Sequence, residues 1–145
     1  MNTVATVQTV NSLASTSTAI RLSLHVLAAA VWVGGQFVMA GLVPTLRSLG
    51  DDAPRRAAQR FGRLSWPAFW LLVITGFWNY AAVHGAQTTS SWSTAFALKM
   101  GAVVLSGVGA WLHTRATTPR SRGMWAGIGA LASVLALILG VLLAG

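Results

Sequence analysis

The sequence predicts an all-α integral membrane protein, a four-helix antiparallel bundle with its N- and C-termini outside. Three observations lead there. Hydrophobic residues fill 54% of the 145 positions and charged ones only 8%, with a mean hydropathy of +0.65, which leaves too little charged surface for a water-soluble domain. Four apolar stretches each approach or reach the roughly 20 residues that cross a bilayer. The positive charge, a net +8, is gathered in short segments between those stretches, where it sets membrane orientation and is not a nucleic-acid footprint.

Residues 1–19 are rich in Ser, Thr, Val and Asn and hold no Lys or Arg. Lacking the basic start of a secretory signal, they are expected to remain as a polar N-terminal tail before a single membrane domain over 20–145. The first span is expected at about 20–42, stopping before Pro44, because proline removes a helical hydrogen bond. The second is expected at about 64–83, with Pro67 in its first turn, where a missing N–H costs little. The third falls at about 94–113 and the fourth at about 124–143. Between the first two, Val43 to Arg63 reads as a loop with Arg47, Arg55, Arg56, Arg60 and Arg63 against Asp51 and Asp52; a basic surface helix over Ala53 to Arg63 is the alternative. Thr114 to Gly123 adds Arg115, Arg120 and Arg122, whereas His84 to Ser93 has no Lys, Arg, Asp or Glu. The positive-inside rule then makes the two basic loops cytoplasmic, as in a multi-pass protein of a bacterial-type inner membrane.

His25 is the leading functional candidate, since an ionisable group inside a span is costly and usually faces a partner, a cofactor or water. His25, Ala29, Trp32, Gln36 and Met39 follow helical spacings and trace one stripe. Lys99, Ser106 and His113 form another on the third span; Thr75 and Asn79 are one turn apart on the second. His25 lies about five residues, or about 8 Å, inside the membrane, level with Lys99 and close to the level of Asn79, so the three can meet. Each has a plainer reading. Lys99 can snorkel to the interface, and Asn79 and Gln36 can simply bond between helices. His84 and His113 are weaker ligand candidates at span ends. On the fourth span, Gly129, Ser133, Ala136 and Gly140 form a small-residue stripe, with a GxxxG step at Gly123 and Gly127, suited to packing within the bundle or in a homo-oligomer.

No carboxylate side chain lies in a span, which weakens proton-pump readings, and no hydrolase or phosphate-loop motif is present. The absence of cysteine excludes thiolate and iron–sulfur centres. Two metal centres stay open: copper, held by imidazole and thioether groups, and haem b, which needs one or two axial histidines in an apolar, aromatic-lined slot with basic groups near its propionates, residue types that His25, Trp32, Arg21 and Lys99 supply.

The run LHVLAAAVWVGG (Leu24 to Gly35), followed by Pro44 and Arg47, resembles the first helix of the copper-resistance protein D (CopD) domain, and RFGRLSWPAFWLLVITGFW (Arg60 to Trp78) and the Lys99 helix agree in order. A histidine seven residues before a tryptophan, with a lysine early in the third helix, is more distantly similar to HemJ-type protoporphyrinogen oxidases, four-helix proteins that bind haem b. The resemblance implies copper handling or transport, His25 as ligand with Trp32 and Lys99 beside it, and a periplasmic copper or electron-transfer partner. The HemJ likeness implies a haem redox protein instead. His113 falls about one turn beyond the position of the second HemJ-type histidine, and Thr45 stands where that type has arginine. An accessory membrane subunit without a cofactor is the third possibility.

Overall fold

A computed structural model describes residues 14–83 and 89–144 of the chain. Among these residues the fold is all helix: α1 (Thr16–Ala29), a π-helical turn (Ala30–Gly34), α2 (Gly35–Ser48), α3 (Ala53–Val83), α4 (Ser90–Arg115) and α5 (Pro119–Ala144). The first three run on as one helix from Thr16 to Ser48. This helix, α4 and α5 are each long and apolar enough to cross a membrane. The apolar half of α3 is diluted by three tryptophans, Pro67, Asn79 and Tyr80.

The helices start where side chains take up the first free N–H groups. Ser15 accepts from Thr18 N, Thr89 from Trp92 N and Thr118 from Ser121 N, with Pro119 as the first residue of α5. Three boundaries differ from expectation. Pro44 does not stop the first helix, which continues to Ser48. The segment expected as a loop from Val43 to Arg63 is helical apart from a short turn at Leu49 to Asp52, where Gly50 takes a φ of 135° that other residues rarely adopt. Pro67 therefore lies deep within α3 and not in its first turn. Ala53 to Arg63 has good helix formers and a start at the Asp52 carbonyl, which accepts from Arg56 N, so it propagates directly into the apolar half.

The interior is built from small and hydroxyl residues: Ala28, Ala68, Ala102, Ala132, Ala136, Ser65, Thr75, Ser106 and Ser133 are buried. Large apolar side chains such as Val26, Leu27, Ile74, Leu131 and Leu142 point outward. That inversion of a soluble core suits a lipid surround, where close helix approach and internal hydrogen bonds hold the bundle. α4 and α5 are the tightest pair, with Gly109 against Gly129. The small-residue stripe of α5 is thus spent inside the chain, while Gly123 and Gly127 have open space beside them.

Two aromatic clusters tie the helices together. Trp32, only 4% exposed, packs its ring 4.6 Å from Phe69 and 5.6 Å from Trp66, and Phe69 in turn fills the space that a side chain at Gly107 would need. Near the other end of α3, Tyr80 stacks on Phe96 at 4.4 Å and on Trp92 at 6.1 Å.

Candidate functional site

Helix register determines what meets His25. On α3, which runs antiparallel to α1, Thr75 lies opposite, and its Oγ1 is 2.7 Å from His25 Nδ1. Thr75 has one hydroxyl proton, and its Oγ1 lies 2.6 Å from the Leu71 carbonyl one turn back, to which it donates. The hydroxyl therefore has only lone pairs to offer the ring, so His25 Nδ1–H is the donor. With the proton on Nδ1, Nε2 carries the lone pair, and no hydrogen bond among the described residues engages it. That is how a protein prepares an imidazole to bind a metal: one nitrogen is oriented and the other left free. The ring edge packs against α3 beside Gly76, where a Cβ would stand 3.7 Å from His25 Cε1, an ordinary contact.

α4 runs parallel to α1 with an offset of 74 positions, fixed where Trp32 Nε1 donates to Ser106 Oγ at 3.0 Å. The same offset sets Lys99 level with His25. The Lys99 ammonium lies against α5: a Cβ on Gly140 would be only 3.1 Å from Nζ. Asn79 follows Thr75 by one turn, and Arg21 precedes His25 by one turn; Asn79 Oδ1 and Arg21 Nε are both buried without a hydrogen-bond partner among the described residues. One end of the bundle thus gathers Arg21, His25, Thr75, Asn79, Lys99 and Gly140 from four helices.

The other candidates separate from this group. Trp32 lies about 10 Å farther along the axis, at the 1.5 Å rise of a helix, and its indole N–H is spent on Ser106. The π-turn at Ala30–Gly34 interrupts the expected His25–Met39 stripe, and Gln36 turns back on its own helix, donating to the Trp32 carbonyl at 3.0 Å. Among the described residues Gln36 therefore makes no bond between helices. Short π-turns recur at functional sites because the widened turn re-aims side chains; here it delivers Trp32 into the core. His113 is at the opposite end, about 21 Å along α4 from Lys99 on the same rise, with Nδ1 2.9 Å from the Arg122 carbonyl. It shares no site with His25. His84 lies outside the described residues. Among the described residues no group of three or more His, Asp or Glu side chains gathers to hold a metal ion.

Thr75, Ser106 and Gly140 are the neighbours of His25, Trp32 and Lys99, pairings that residue spacing alone does not predict. The available signal is Thr75 itself, a hydroxyl inside an apolar helix, which marks a polar neighbour. No family model, curated protein or solved structure matches the chain.

Proposed function

We propose that the chain is a four-span, CopD-like membrane protein, N-out and C-out in a bacterial-type inner membrane, in which His25 holds a metal centre near the outer surface, and that this centre is a b-type haem. The observation that carries the reading is the free Nε2 of His25, left by the Thr75 bond to Nδ1. A haem needs one such imidazole, because its macrocycle supplies four nitrogen ligands of its own. It also carries two carboxylates, and Arg21, one turn before the histidine, and Lys99, level with it, supply positive charge. A bare copper ion fits this donor set poorly. It would have one imidazole and two cationic side chains near it, and no hydrogen bond among the described residues joins His25 to the sulfur of Met39, 14 residues farther along the first helix, or of Met100, beside Lys99 on α4.

His25 would hold the iron, Thr75 would fix the ring, and Arg21, Asn79 and Lys99 would face the polar edge of the group. Haem would supply one-electron chemistry. The chain's own part is to orient the imidazole and to exclude water with the Trp32, Trp66 and Phe69 cluster below it.

Copper handling is the second reading, favoured by the likeness of Leu24 to Gly35 to the copper-resistance protein D domain. An absorption spectrum and metal analysis of protein purified from cells supplied with haem separate the two. A Soret band with stoichiometric iron supports haem. Stoichiometric copper without a Soret band supports copper, and neither metal in folded protein supports an accessory subunit. A second copy, if it docks through small residues, would use the open Gly123 and Gly127 face.

A further inference from the structure

We propose that Arg21, Lys99 and Asn79 form a carboxylate-binding site one helical turn from His25, which receives the acidic arms of an amphipathic ligand entering at the outer surface. The proposal rests on the haem reading for the identity of that ligand, but its argument is one of charge. Two cationic side chains face the same end of the bundle, and neither forms an ion pair or a side-chain hydrogen bond among the described residues. The chain has only two acidic side chains, Asp51 and Asp52, and both lie in the turn at the opposite end. Burying cations without an anion is costly in a membrane, and the cost falls when a ligand brings the missing charge.

The unpartnered atoms point to the same conclusion. Arg21 Nε carries a buried N–H with no acceptor among the described residues. Asn79 presents a buried amide edge with no partner, and rotating that amide by half a turn offers an NH₂ donor in its place. Lys99 Nζ lies over Gly140, where any side chain would crowd it. A carboxylate accepts from all three donor types, with charge-assisted bonds to the guanidinium and the ammonium. Arg21 and Asn79 extend His25 and Thr75 by one turn on antiparallel neighbours, so the acidic group would bind toward the surface and the apolar body beside His25.

The test uses metal-free protoporphyrin IX, a dicarboxylate, and its dimethyl ester, titrated by fluorescence into the full-length protein in detergent. The diacid should bind at least about tenfold more tightly than the ester. Arg21→Gln and Lys99→Met should each weaken the diacid by about tenfold, as expected for loss of one charge-assisted bond, and leave the ester unchanged, which also reports that the variants are folded. Equal binding of diacid and ester, unchanged diacid binding in both variants, or no binding of either probe to folded protein would overturn the proposal. Loss of the iron-haem signal in wild type with the diacid preference intact would instead sink the haem reading alone.

Discussion

Replacing Gly109 with alanine should force α4 and α5 apart. A Cβ built on Gly109 stands 2.8 Å from Gly129 Cα, 2.9 Å from Gly129 N and 3.2 Å from the Trp125 carbonyl oxygen. All three are backbone atoms, so no rotamer change relieves the clash. Carbon atoms prefer about 3.5–4.0 Å, so the helices must separate by close to 1 Å at this point, a gap that forfeits a quarter to a half of each local dispersion contact. Overpacking of this kind costs about 1–3 kcal/mol. Gly127→Ala is the control, because nothing lies within 4 Å of its Cβ position and alanine is the better helix former; no loss is expected there. Reversible unfolding in mixed micelles, followed by circular dichroism and tryptophan fluorescence, measures both. Equal stability of Gly109→Ala and Gly127→Ala would refute the Gly109–Gly129 contact.

Three further outcomes follow from named contacts. Ser106→Ala leaves the Trp32 indole N–H without its acceptor and should cost about 1 kcal/mol in the same unfolding assay, within the range for hydrogen bonds between membrane helices; no change would mean that the bond at 3.0 Å is not formed in solution. Thr75→Val keeps the shape but removes the acceptor of His25 Nδ1–H, and should weaken haem binding about 10- to 100-fold in a spectral titration, whereas unaltered affinity would detach Thr75 from the site. Because the chain has no cysteine, single cysteines report orientation cleanly: in spheroplasts an impermeant maleimide should label Ser91→Cys and not Thr117→Cys, and the reverse pattern would invert the topology.

Much of this arrangement was legible in the sequence. Composition and four apolar runs indicated a helical membrane protein, and depth counting from span ends put His25 and Lys99 at one level, as the 74-residue offset does. Other features are not encoded locally. The π-turn at Ala30–Gly34 has no periodic signature, so Trp32 and Gln36 seemed to continue the His25 stripe. Pro44 reads as a stop because proline removes a helical hydrogen bond, and Pro67 as a first-turn residue because a missing N–H costs little there, yet in both places the neighbouring turns carry the helix through. Partners such as Ser106 and Gly140 depend on which helices adjoin, and a single sequence gives no direct account of that.

The central claim is that His25 Nε2 is the ligand of an iron centre, and the most direct measurement is chemical rescue of its removal. Wild-type protein supplied with haem should show a Soret band, His25→Gly should lose it, and added imidazole should restore it by occupying the space of the missing ring. A His25→Gly protein whose haem spectrum matches wild type without imidazole would contradict the claim.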